Sequence, residues 1–108
     1  MIKVKVGYQE NRISRVTVKG HANYDDYGKD IVCSAVSSIV YTALLGIKEF
    51  SSAKVEYTVK EKQGLMDIIV PQGKTEVEEI RVQAVIETAV IGLRDLEKGY
   101  RAYLQVEV

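Results

Sequence analysis

The sequence predicts an α+β domain, a mainly antiparallel sheet carrying two helices in the order ββαββαβ. Three observations lead there. Four stretches and a short tail alternate apolar and polar residues, two long stretches space apolar residues three and four apart, and polar or glycine-containing turns separate them. No repeat, linker or low-complexity run breaks the pattern, so residues 1–108 read as one domain with a single core.

In "MIKVKVGYQENRISRVTVKGHA", Ile2, Val4 and Val6 alternate with polar residues before "QEN", and Val16 and Val18 do so after it. A β-hairpin is expected. Ile13 falls off the alternation of Val16, which calls for a bulge or a late strand start. Gly20 ends the second strand and opens a polar, tyrosine-bearing loop, His21 to Lys29, with Gly20 and Gly28 as its hinges.

From Ile31 to about Phe50 the period becomes helical: Val32, Val36, Ile39, Ala43 and Ile47 recur on one face, with Ala35, Val40 and Leu44 beside them. Asp30 is of a type preferred at helix N-caps, which makes Ile31, Val32 and Cys33 the first three helical residues. Strands follow at roughly Lys54 to Lys60 and Leu65 to Val70, with "KQG" in the turn and Pro71 and Gly73 closing the hairpin. A second helix, about Thr75 to Lys98, opens on a capping box of Thr75 and Glu78 and stops at Gly99. "RAYLQVEV" alternates again as a final strand.

The second helix carries two apolar stripes. Val82, Ile86, Ala89, Leu93 and Leu96 suit a sheet; Val77, Ile80, Ala84 and Ile91 form another, which asks for the first helix or a second subunit.

Composition removes several functions. Fifteen basic and fifteen acidic residues cancel, leaving no net field for a phosphate backbone, so direct nucleic-acid binding is not expected. There is no P-loop, no GxGxxG and no aromatic RNA platform, and no cofactor is expected. One histidine and one cysteine cannot complete a zinc site within one chain, although two subunits together could offer four ligands; no metal is assigned. "MIKVKVGY" has neither a long apolar core nor a small-residue cleavage site, so no membrane partner and a cytoplasmic location are expected. A single cysteine suits a reducing compartment and excludes an intrachain disulfide.

"GHANYDDYGKDIVCS", Gly20 to Ser34, holds that one histidine and that one cysteine. In the first turn of a helix, Cys33 would meet free backbone N–H groups and the positive end of the dipole, which favour the nucleophilic thiolate. Ser34, Ser37, Ser38 and Tyr41 surround its face, with Ser37 one turn along, whereas a buried structural cysteine would sit in the Val32, Val36 and Ile39 stripe. If the loop folds over the helix end, His21 reaches Cys33, takes its proton and later protonates a leaving amine, with free N–H groups stabilising the oxyanion. Asp30 has two readings that cannot both hold fully. As a cap it would occupy the N–H of Val32 or Cys33; turned the other way it would orient His21 as a third catalytic member. Plain alternatives stand beside these: an inert small hydrophobe at Cys33, a satisfied loop histidine at His21, and loop anchors at Tyr24 and Tyr27.

"GHA" followed by "GKDIVCSAVSSIV" resembles the ribosomal-processing cysteine protease family of bacteria, called Prp, and the length and element order also fit. The resemblance implies a homodimeric cysteine endopeptidase. Its substrate is the precursor of a large-subunit ribosomal protein, the one numbered twenty-seven, whose N-terminal extension is removed by a cut after a Phe-Phe pair. His21 and Cys33 match the family's catalytic pair, and Asp30 and Ser37 its flanking Asp and Ser. Ser34 departs from the alanine of many relatives. Two other classes compete: a non-enzymatic ribosome-associated homodimer, and a redox-responsive protein whose Cys33 forms a sulfenic acid or an intersubunit disulfide.

Overall fold

The computed structural model describes residues 1–20 and 27–108, with only the backbone of residues 27–30. Strands β1 (Ile2–Gln9) and β2 (Arg12–Lys19) form the expected hairpin. Its turn residues Glu10 and Asn11 have φ of 52° and 62°, the left-handed pair whose twist matches that of the flanking strands. The expected bulge is present. Gly7 pairs with Arg15 but Tyr8 with Ile13, so Ser14 is the extra residue, and it returns Ile13 to the buried face shared by Val16 and Val18.

Helix α1 (Tyr27–Phe50) leads to β3 (Glu56–Lys60), a 3-10 turn (Glu61–Gln63), β4 (Leu65–Ile69), α2 (Glu76–Gly99) and β5 (Leu104–Glu107). The sheet order is β3-β4-β2-β1-β5, antiparallel except for the β1–β5 pair. One face is apolar: Ile2, Val4, Val6, Val16, Ile68 and Leu104 are buried in one cluster with residues of both helices. Outward positions on the other face carry Lys3, Lys5, Arg15, Thr17, Lys19 and Asp67. A two-layer α+β domain results.

Helix α1 begins four residues before the expected Ile31. Asp30 is therefore the fourth helical residue and not the N-cap, and Gly28 lies in the helix and not in the preceding loop. Cys33 becomes the seventh residue, beyond the first four whose N–H groups lack an intrahelical partner. The first turn is polar, so apolar periodicity could not reveal it. The buried stripe also differs slightly: Val32, Val36, Val40, Ala43, Leu44 and Ile47 are buried, whereas Ile39 is half-buried. By length and a hydropathy of 1.7, Ile31–Phe50 could cross a membrane, but this same stripe is spent inside the domain core.

Helix α2 opens as expected, with Thr75 Oγ1 accepting from the Glu78 N–H at 3.1 Å. The Glu78 carboxylate, however, accepts from the N–H and hydroxyl of Ser52, tying α2 to the α1–β3 loop instead of closing a capping box. At the other end Gly99 is the last helical residue and Tyr100 the cap.

Two side chains dock α2 on the hairpin. β4 ends opposite Arg15, leaving the Ile13 backbone without a strand partner on that side. The Gln83 amide fills the gap, accepting from Ile13 N–H and donating to its carbonyl, both at 2.9 Å. Beside it, Arg12 donates to both carboxylate oxygens of Glu79, at 2.8 and 3.3 Å, and to the Pro71 carbonyl at 3.0 Å.

The Arg12 guanidinium holds the Glu79 carboxyl below the usual carboxylate range, and Arg15 does the same for Asp67. A carboxyl depressed in the folded state stabilises the fold above its unfolded pKa of about 4, and that stability is lost as pH falls through the lower folded value. Urea midpoints of the wild type should accordingly fall on acidification below about pH 4. Glu79→Gln should cost about 1–2 kcal/mol at neutral pH and give a flatter acid limb.

Candidate active site

Burial of Val32 and Val36 fixes the rotation of α1 about its axis. Cys33 follows about 100° further round. It is a free, half-buried thiol packed against the edge of the core. Here α1 leaves the sheet partly uncovered, and a cleft of about 310 Å³ opens. Cys33, Val36, Ser37 and Val40 line its helix side; Ile2, Val18, Val59 and Met66 come from the strands; Gly20, Glu61, Gly64 and Leu65 complete it. Such a concave, mostly apolar site with a few polar groups suits an extended peptide segment.

Gly20 closes one end of β2 in a conformation open only to glycine, with φ at 115°. A Cβ there would collide with the Met1 carbonyl oxygen. The Gly20 N–H donates to the Gly64 carbonyl at 3.0 Å, and the Gly64 N–H donates to the Glu61 carbonyl at 3.0 Å. Gly64 itself is left-handed, with φ of 59° and ψ of 40°. The backbone immediately before His21 is therefore anchored to the turn on the far side of the cleft.

The structure brings Cys33, Ser37 and Gly20 to one cleft, with Ser37 exposed one turn after the thiol. Ser38 faces elsewhere, into the groove between α1 and α2. His21, with Tyr24, lies outside the described residues, as do the side chains of Asp30 and Tyr27. Sequence reasoning missed Val59, Glu61 and Met66. Their only signal is topological: β4 must be known to pair with β2 before that hairpin is placed beside Cys33. Among the described residues, Cys33 and Glu61 are the only ionisable side chains lining the cleft, and no group of three or more His, Cys, Asp or Glu could hold a metal ion.

An accessible thiol in a peptide-sized cleft is the chemistry of a cysteine protease. The chain belongs to the family described as "Cysteine protease Prp", whose model matches residues 1–105. It is similar to the ribosomal processing cysteine protease Prp of Bacillus subtilis (strain 168), with 25% identity over 87 residues, 81% of this chain and 78% of that protein. The protein of the same name from Mycoplasma genitalium is 36% identical over 55 residues, 51% of this chain and 50% of its own. In fold it matches the crystal structure of an essential ribosomal processing protease Prp from S. aureus in complex with a substrate peptide. The TM-score is 0.84 at 20% identity, covering 99% of this chain and 98% of that one.

Gly20→Ala should lower stability by more than about 1 kcal/mol, because the backbone there excludes a side chain in both conformation and space. A reduced thermal midpoint, with larger losses for Gly20→Val, is the expected readout. An unchanged midpoint in both variants would contradict the anchored geometry.

Proposed function

We propose that this protease removes the N-terminal extension from the precursor of a large-subunit ribosomal protein, the one numbered twenty-seven, using Cys33 and His21. The observation that carries the reading is a free thiol lining an open cleft in a chain of this family. The names of its bacterial relatives, and the substrate peptide held by the S. aureus protein, support it.

In this mechanism the Cys33 Sγ attacks the scissile carbonyl as its proton passes to His21. The C–N bond then breaks, His21 delivers that proton to the leaving amine, and water hydrolyses the thioester to free Cys33. Since Cys33 stands seven residues into α1, first-turn N–H groups are poorly placed to receive the oxyanion beside it. The Ser37 hydroxyl, on the same wall, supplies a donor near the thiol. Asp30, freed from the capping role, is kept as the group that orients His21. The reaction needs no cofactor or metal, and a reducing cytoplasm keeps the single thiol active.

The active form is a homodimer. Val77, Ile80 and Ile91 are 60%, 60% and 68% exposed, so α1 does not cover the second stripe of α2. Ala84 of that stripe lines the groove shared with Ile39 and Thr42 of α1, which extends the apolar surface across both helices.

Intact-mass analysis of the precursor, or of its N-terminal peptide containing Phe-Phe, tests the substrate and the pair under reducing conditions. Wild type should cut once after the aromatic pair, Cys33→Ala should not cut, and His21→Ala should be slower by about 10²- to 10⁴-fold. A precursor left intact by wild type would reject the substrate assignment. For the dimer, sedimentation of wild type should give twice the monomer mass, and Ile80→Glu with Ile91→Glu should give the monomer with unchanged helicity.

A further inference from the structure

We propose that Glu61 is a specificity-determining residue that selects substrates carrying a lysine or arginine side chain close to the scissile bond. The inference rests on the protease reading of the Cys33 cleft. Most of the cleft lining is apolar, with Val18, Val36, Val40 and Met66 among its walls, and no basic side chain lines it among the described residues. Glu61 alone among the described residues brings a carboxylate to it.

That carboxylate has no hydrogen-bond or ion-pair partner among the described residues, whereas Glu78, Glu79 and Asp67 are each held by a neighbour. Among the described residues, one negative charge at the cleft is thus left unneutralised. An acidic peptide side chain beside it would be repelled and a cationic one attracted. Flanking apolar groups displace water when a peptide enters, which makes such a pair stronger than a fully solvated one.

The backbone that carries Glu61 is also held in place. Glu61 opens the 3-10 turn, its carbonyl accepts from Gly64, and the Gly64 carbonyl accepts from Gly20. Two hydrogen bonds thus fix the carboxylate-bearing turn relative to the strand end that precedes His21. With its backbone so anchored, the Glu61 side chain can reach only the substrate positions beside this end of the cleft.

The test uses peptides spanning the cut site of the precursor, with each lysine or arginine replaced in turn by glutamine or glutamate. They are assayed with wild type, Glu61→Gln and Glu61→Lys. Wild type should lose about five- to tenfold in kcat/KM when one particular cationic residue becomes glutamine, and Glu61→Gln should not distinguish that pair of peptides. Glu61→Lys should reverse the order and prefer glutamate at that position. Glu61 is exposed, and matching thermal midpoints will show that its variants fold alike.

Equal peptide preferences in wild type and Glu61→Gln would overturn the proposal while leaving the protease reading intact. The same peptides titrated onto Cys33→Ala separate binding from cutting. Binding that follows the charge at position 61, without cleavage by wild type, would keep Glu61 as selector and remove the protease reading. Neither binding nor cleavage would remove both.

Discussion

Everything at the site depends on one contact, the buried stripe of α1 against the apolar face of the sheet. Val32, Val36, Val40, Leu44 and Ile47 are each at most 1% exposed. Full burial of an aliphatic side chain contributes about 1.5–3 kcal/mol, so rotating the helix by a few tens of degrees would cost several such contributions at once. With that rotation set, Cys33 has no choice of direction. It must face the margin where the core meets solvent, half in contact with apolar neighbours and half open to the cleft. The second helix reinforces the setting: a Cβ on Gly46 would lie 3.0 Å from Val85 Cγ1, so the two helices approach closely at that point.

Much of the fold was legible because burial on one face writes itself into the sequence as a period. The hairpin and the order of elements could be read in this way, the Thr75 cap from its residue type, and the odd spacing of Ile13 announced the bulge made by Ser14. The opening turn of α1 could not, since a polar turn has no apolar period and Asp30 offered a convincing but incorrect cap. Gln83 and Arg12 were silent for a different reason, and Glu78, expected to close the capping box, instead holds Ser52. Each acts on a partner far away in sequence, and nothing local distinguishes Gln83 beside Ile13 from any other polar residue on a helix.

The same division runs through the site. Cys33 and Ser37 could be paired from helical spacing alone, and the glycine at position 20 could be seen as a strand end. The opposite side of the cleft, from Val59 to Met66, becomes visible only when the β3–β4 hairpin is docked on β2. Local chemistry thus marked the reactive group, while the surface that chooses what reaches it is a product of topology. Helix α1 links the two, because its stripe faces the sheet while its flank forms the helix side of the cleft.

The parallel pairing of β5 with β1 has a consequence for how the chain acquires this shape. Ile2 lies opposite Leu104 and Lys5 opposite Glu107, so β2, both helices, β3 and β4 all intervene between two adjacent strands. The β1–β2 hairpin can form from neighbours, but β1 must wait with one edge bare until the closing strand arrives, after both helices have been made. Such a non-local contact is entropically slow to find. During synthesis on a ribosome β5 emerges after the other four strands, so this edge of β1 would stay open to other partners until then.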